Sequence, residues 1–146
     1  MSAQLWALAV TGAIVFVAAC LETYRSRRAR RLVLSAGPSR LSGHLRMNGE
    51  ENAPFIIYFT GDSCTVCRTH QEPALARLGD VRVDKVDAVA ERTLADRFHV
   101  YTLPTTVVMA ADGSPLHVNY GYAPAPKLQR QLAEARGAAL GAAATA

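Results

Sequence analysis

Cys64 and Cys67, in Gly61-Asp62-Ser63-Cys64-Thr65-Val66-Cys67, stand where an apolar run gives way to a helical pattern. That placement carries more information than the spacing. At a helix start, unpaired backbone N–H groups and the helix dipole stabilise a thiolate, so Cys64 is the candidate nucleophile. Two intervening residues put Cys67 one turn on, where its sulfur can reach that of Cys64. Such a pair can cycle between dithiol and disulfide by exchange with another disulfide. Other readings of the pair stay open. A structural zinc site needs four ligands, and Cys64, Cys67 and His70 would have to recruit His99 or His117. Haem attachment needs a histidine directly after the second cysteine, where this chain has Arg68. Two inert core cysteines are the third reading.

The elements around the pair follow from hydrophobic pattern. Phe55-Ile56-Ile57-Tyr58-Phe59 is a continuous apolar run, as expected of a strand buried on both faces. Cys64 to Leu78 reads as a helix with Cys67, Gln71, Leu75 and Leu78 on one stripe and Pro73 kinking it. Val81 to Val86 alternates like a strand, and Val89 to Phe98 reads as a polar-faced helix. Thr105 to Met109 is a β-branched strand. Asp112-Gly113 marks a turn into a strand over Leu116–Tyr120, and Pro126 to Arg136 closes with a helix. The order β-α-β-α-β-β-α predicts an α/β domain with a central mixed sheet flanked by helices.

The 146 residues carry a formal charge of +4, unevenly placed. Residues 1–50 hold seven arginines against Glu22 and Glu50, a net +5, so residues 51–146 hold a net −1. A nucleic-acid-binding domain carries its basic charge on its own folded surface, so nucleic acid is excluded as a partner. The arginines follow Leu5–Leu21, an apolar stretch that predicts one N-terminal transmembrane helix, since about 20 helical residues span a bilayer core. Trp6 and Tyr24 lie near its ends, where amphipathic aromatics favour the interface. Arg25, Arg27, Arg28, Arg30 and Arg31 lie directly after it, and the positive-inside rule then places the domain on the cytoplasmic side. Val17-Ala18-Ala19-Cys20 resembles the lipobox of bacterial lipoproteins, which implies the alternative of an exported domain lipid-anchored at Cys20. The organisation expected is an anchor over 1–24, a basic juxtamembrane segment and linker over 25–52, a domain over 53–136 and a flexible Ala/Gly-rich tail over 137–146. The linker has room for one short helix around Ser39–Met47.

From Pro54 to Ala135 the chain resembles the thioredoxin family. The resemblance rests on the strand before Cys64-Thr65-Val66-Cys67, on Pro73, on Val86-Asp87 ending the next strand, and on Phe98. It rests further on Leu103-Pro104-Thr105 before the third strand and on Gly121 after the last. It implies a thioredoxin-like fold, with Cys64 attacking a substrate disulfide and Cys67 resolving the mixed disulfide. It also implies a cis-proline at Pro104 facing the cysteines, and a substrate groove formed by Leu103, Pro104, Thr105 and Gly121. Main chain beside such a proline can pair with an extended polypeptide.

The sequence departs from the family at three points. The tryptophan before the first cysteine is Ser63, the Gly-Pro between the cysteines is Thr65-Val66, and the buried carboxylate aligns with Tyr58. Asp62 and His70 are candidate replacements, but His70 reads equally as a solvated helix residue, and the base stays unassigned. The interval from Cys67 to Pro104 is too short for the inserted helix of large disulfide oxidases. It also excludes the added elements of many exported cytochrome-maturation relatives.

The expected function is membrane-anchored thiol–disulfide exchange, reducing protein disulfides with no cofactor or metal and fed by an upstream electron donor. A non-enzymatic thioredoxin-fold scaffold and an exported lipoprotein are the alternatives.

Overall fold

Six consecutive buried residues make Phe55–Thr60 the centre of the fold, because a strand without a polar face must be covered on both sides. The computed structural model describes residues 2–35 and 53–143. Helix α1 (Ser2–Ser35) comes first, followed by β1 (Phe55–Thr60). A π-helical turn (Cys67–Gln71) then runs into α2 (Glu72–Ala76). After it come β2 (Val83–Asp87), α3 (Arg92–Arg97), β3 (Thr105–Met109), β4 (Pro115–Tyr120) and α4 (Ala125–Ala143). The sheet order is β2-β1-β3-β4. β1 runs parallel to β2 and antiparallel to β3, and β3 and β4 form a hairpin. This is the thioredoxin-like α/β fold, a mixed four-stranded sheet flanked by helices.

Strand alternation divides the core into two clusters. Ile56, Tyr58 and Val108 face Cys67, Leu75, Leu128, Leu132 and Ala135. Phe55, Ile57, Phe59, Val107, Met109 and Val118 face Ala95, Phe98 and Val33. On that second side the rings of Phe59 and Phe98 lie 5.5 Å apart. Beyond them the Tyr120 hydroxyl donates to the Phe98 carbonyl at 3.2 Å, and Tyr101 stacks on Tyr120 at 4.8 Å.

Pro73 lacks the N–H that would continue the α-helical ladder. The helix accommodates it with the π turn just before, where the Glu72 N–H reaches the carbonyl of Cys67. The stripe expected over Cys67, Gln71 and Leu75 is buried. The helix expected from Val89 begins only at Arg92. The Asp87 carboxylate accepts the N–H groups of Val89 (2.7 Å) and Ala90 (3.0 Å), which holds that stretch as a turn.

Two of the expected boundaries move. The basic juxtamembrane segment and linker expected over 25–52 starts as helix, because α1 continues unbroken to Ser35. Arg, Ala and Leu are strong helix formers, and no Gly or Pro interrupts the stretch after Gly12. Ala29 and Val33, four residues apart on one helix face, are buried, and Val33 joins the core at 1% exposure. The final helix extends to Ala143 through the alanine-rich stretch expected to fray. The short helix expected around Ser39–Met47 lies outside the described residues. Within α1, Trp6–Leu34 is long and apolar enough to cross a membrane by length and composition.

Replacing Val33 should therefore destabilise the domain itself. Val33→Ala is expected to cost about 1–3 kcal/mol in denaturant unfolding of the full chain in detergent, from lost burial plus a residual cavity. A cost within about 0.5 kcal/mol, the range of ordinary surface changes, would remove α1 from the core.

Candidate active site

The site forms where β1 ends. Gly61, Asp62 and Ser63 turn the chain, and the Cys64 N–H closes the turn on the Gly61 carbonyl at 3.0 Å. Cys64 and Cys67 are joined as a disulfide with their Cα atoms 5.2 Å apart. Cys64 is part-exposed, whereas Cys67 is fully buried among Ile56, Tyr58 and Leu75. This asymmetry suits an attacking sulfur that meets substrate and a second sulfur that meets only the first. The Cys67 N–H points at the Cys64 sulfur from 3.2 Å. When the disulfide opens, that donor is placed to favour a thiolate on Cys64. Arg68 donates to the Asp62 carbonyl and ties the helix start to the turn.

The loop before β3 meets this turn. The Leu103–Pro104 bond is cis, and Leu103 packs against both core clusters. A Cβ on Gly61 would meet the Leu103 side chain at 3.1 Å, so the close approach of the two segments favours glycine there. The Pro104 carbonyl accepts the Gly121 N–H at 2.8 Å. Gly121 adopts φ +83°, a conformation that side chains rarely tolerate. Thus Cys64, Leu103, Pro104 and Gly121 gather at one end of the sheet. Thr105 is there too but buried, its hydroxyl donated to the Thr102 carbonyl at 2.7 Å. Its side chain supports the loop and does not face solvent.

Two contributions escaped the sequence reading. Gln71 is fully buried and clamps the segment after Gly121 through both atoms of its amide. Its nitrogen donates to the Ala123 carbonyl at 3.1 Å, and its oxygen accepts the Ala123 N–H at 2.9 Å. A polar residue on an otherwise apolar helical stripe was the available signal. Tyr122 stands between the two pinned residues Gly121 and Ala123, with its ring 48% exposed and 5.9 Å from the His70 ring. An aromatic surface, absent at Ser63, is therefore supplied from the loop after β4. Val66, itself 44% exposed, adds an apolar contact between the cysteines.

At the position of the family's buried carboxylate, Tyr58 is buried and donates to the Thr60 hydroxyl at 3.3 Å. Burial pushes its phenol up, so at neutral pH it is an uncharged donor and not a base. Glu72, directly after the buried Gln71, instead pairs with Lys85 at 2.7 Å on the surface. Asp62 and His70 are exposed, apart from the buried surroundings of Cys67. His117, the other distant histidine considered for metal binding, pairs with Glu134 of α4 at 3.0 Å.

The fold and the cysteine pair define the class: a thioredoxin-fold domain carrying a redox-type pair, the equipment of thiol oxidoreductases. The family model described as a thioredoxin-like domain matches residues 41–136, and the chain belongs to the thioredoxin family. Among solved structures it is similar to a thioredoxin variant from Halobacterium salinarum, with 26% identity and a TM-score of 0.54 over 59% of this chain and 77% of that one. Thioredoxin-2, a component of the malaria parasite's protein secretion machinery, shares the fold at 21% identity and a TM-score of 0.53, over 59% of this chain and 86% of that one. A thioredoxin pre-protein from Schistosoma mansoni does so at 19% identity and a TM-score of 0.51, over 66% and 86%. A curated relative, a probable transaldolase from Lachnoclostridium phytofermentans, is 36% identical over 50 residues, 34% of this chain. The chain spans only 22% of that relative's length.

The Gln71 clamp is open to a direct check. Gln71→Leu keeps the apolar stripe but leaves the buried Ala123 N–H and carbonyl unpaired, at a cost of about 1–3 kcal/mol. Hydrogen exchange at the Ala123 amide should then accelerate by about tenfold or more, while the Val107 amide keeps its protection. Unchanged exchange at Ala123 would show that the clamp does not hold the loop.

Proposed function

We propose that this protein is a membrane-anchored protein-disulfide reductase. The observation that carries this reading is the pairing of a part-exposed Cys64 with a buried Cys67 beside the edge formed by Leu103, Pro104 and Gly121. In the reduced protein the Cys64 thiolate attacks one sulfur of a substrate disulfide. A Cys64–substrate disulfide forms, and the other substrate sulfur leaves as a thiolate that takes up a proton. Cys67, deprotonated, then attacks the Cys64 sulfur. The Cys64–Cys67 disulfide forms and the second substrate thiol is released. Two electrons and two protons pass to the substrate, and a dithiol donor returns the pair to its reduced form by the same exchange in reverse.

Substrate main chain pairs beside Leu103 and Pro104, while Tyr122, His70 and Val66 supply the apolar and aromatic wall of the groove. The neutral Tyr58 leaves Cys67 without a buried carboxylate base. Its proton therefore passes to solvent or substrate when the mixed disulfide opens the site. The anchor is α1, with Leu5–Leu21 in the bilayer and the arginines that follow on the cytoplasmic side. In that reducing compartment the resting form is the dithiol, which favours the reductive direction.

Insulin reduction by the full chain tests the chemistry. Cys64→Ser should abolish turnover, and Cys67→Ser should accumulate a mixed disulfide with substrate that a thiol reductant releases. Turnover by Cys64→Ser equal to that of the unaltered protein would end this reading, and no turnover by the unaltered protein would favour a scaffold over an enzyme.

A membrane-impermeant thiol reagent applied to intact cells tests sidedness. Cys64 should react only after the membrane is permeabilised. Labelling from outside would reverse the topology and favour the lipid-anchored form through Cys20.

A further inference from the structure

We propose that Tyr122, held in place by Gln71, reads an apolar side chain beside the substrate's cysteine, so that the disulfides this protein reduces lie in extended, unpacked chain segments rich in aromatic or aliphatic residues. The proposal rests on the reductase reading above. It adds a substrate class, a specificity-determining residue and a positioning residue.

Among the described residues from Phe55 onward, the exposed large apolar side chains are Val66, Val89, Tyr101 and Tyr122. Val66 belongs to the helix start after β1, Val89 follows β2, Tyr101 precedes β3 and Tyr122 follows β4. The strand register makes these one end of the sheet: Thr60 pairs with Asp87, and Phe59, Thr105 and Tyr120 stand side by side. That end carries Cys64. At the opposite end, the exposed Asp80 precedes β2 and the exposed Asp112 lies in the β3–β4 turn. Exposed apolar side chains gathered in one place mark a binding surface. Here they are continuous with the Leu103–Pro104 edge proposed to pair with substrate main chain. An extended chain presents side chains on both sides of its cysteine, whereas folded proteins keep most large apolar side chains inside. The chemistry that fits this rim is therefore an apolar segment not packed into a fold.

Within the rim, Tyr122 has a backbone fixed on both sides. The Gly121 N–H donates to the Pro104 carbonyl at 2.8 Å, which ties Tyr122 to the loop beside the cysteines. The fully buried Gln71 accepts the Ala123 N–H at 2.9 Å and donates to the Ala123 carbonyl at 3.1 Å. Those two bonds tie Tyr122 to the helical segment that begins at Cys67. The Tyr122 ring lies 5.9 Å from that of His70, and His70 and Val66, four residues apart, are both exposed. A contact side chain ordered in advance lowers the entropy lost when substrate binds. Gln71, with no exposed surface, meets no substrate and acts through Tyr122.

The test uses the full chain in detergent, reduced beforehand with a dithiol that is then removed. Two peptides each carry one cysteine joined by a disulfide to mercaptoethanol, flanked on both sides by phenylalanine in one and by serine in the other. Reduction releases the peptide and mercaptoethanol as thiols and leaves Cys64 and Cys67 as a disulfide. Neither flank is charged, so the two disulfides start with similar reactivity. The second-order rate constant should be about tenfold larger for the phenylalanine peptide, the effect of about 60 Å² of apolar contact. Tyr122→Ala should bring this ratio to about threefold or less, and Tyr122→Phe should keep it. Gln71→Leu should lower the ratio as well. The double variant should lower it no further than Tyr122→Ala alone, because one residue acts through the other. Gln71→Glu supplies a second variant: its buried carboxyl, when protonated, makes both bonds to Ala123, so its ratio should rise as pH falls. Partition of peptide into detergent acts alike on every variant.

A ratio near one for the unaltered protein overturns the substrate class and leaves the rim to lipid or to a second copy of the chain. A ratio that Tyr122→Ala does not change overturns the role of Tyr122. If Gln71→Leu keeps the Val107 amide protected and slows both peptides alike, Gln71 has a structural role alone and its positioning role is overturned. If Gln71→Leu does not fold, a flat pH profile for the ratio of Gln71→Glu overturns it instead. Oxidation of the reduced chain by neither peptide overturns the reductase reading itself.

Discussion

The two-sided burial of β1 is the constraint from which the rest of the architecture follows. A strand with six buried residues in sequence offers apolar side chains to both faces of the sheet, and each face must be covered or lose about 25 cal/mol for every Å² left wet. One face is closed by α4 and the helix that carries Cys67. Among the described residues the other has, besides α1, the short helix α3 and Phe98 from the same part of the chain, too little cover by themselves for Ile57, Phe59, Val107 and Val118. The end of α1 completes it. A helix whose first part suits a bilayer by composition thus also contributes Ala29 and Val33 to the buried residues of the domain, and changes character within two turns.

The same strand delivers the chemistry to its end. With β1 held rigidly, the turn after Thr60 has a fixed origin, and the cis Leu103–Pro104 loop is placed beside it through the β1–β3 ladder. Gln71 then ties the third segment, after Gly121, to the helix that begins at the cysteines. Three loops from distant parts of the sequence are therefore positioned by backbone hydrogen bonds and one buried amide. Val66, His70 and Tyr122 are left facing outward from that frame.

Much of this was legible in the sequence because it was written in local pattern. The apolar run at Phe55, the β-branched run at Thr105 and the Cys67–Gln71–Leu75 stripe each announce an element and its buried side. The end of α1 was not legible. Ala29 stands among arginines and Val33 between the exposed Leu32 and Leu34, so no period shows, and their burial depends on a sheet that begins only at Phe55. The turn at Ala88–Glu91 was misread for a related reason: its helical composition lost to a carboxylate at Asp87 that captures two N–H groups. Tyr122 was invisible as a site residue because its position depends on the three tertiary hydrogen bonds made by its neighbours Gly121 and Ala123. Tyr58 was visible only as a departure; its burial shows what the departure means, an uncharged interior beside Cys67.

The π turn ahead of Pro73 sets the rotational phase of the helix. In an α-helix each four-residue step overshoots a full turn by about 40°, so residues eight apart drift away from a common line. The wider π turn between Cys67 and Gln71 undershoots, and the α-helical step from Gln71 to Leu75 restores the difference. Cys67, Gln71 and Leu75 consequently stay aligned on the sheet, all three buried. One widened turn thus lets a single helix face hold a reactive sulfur, a loop clamp and a core anchor in one straight file. Removing one residue there would turn the cysteine off that line.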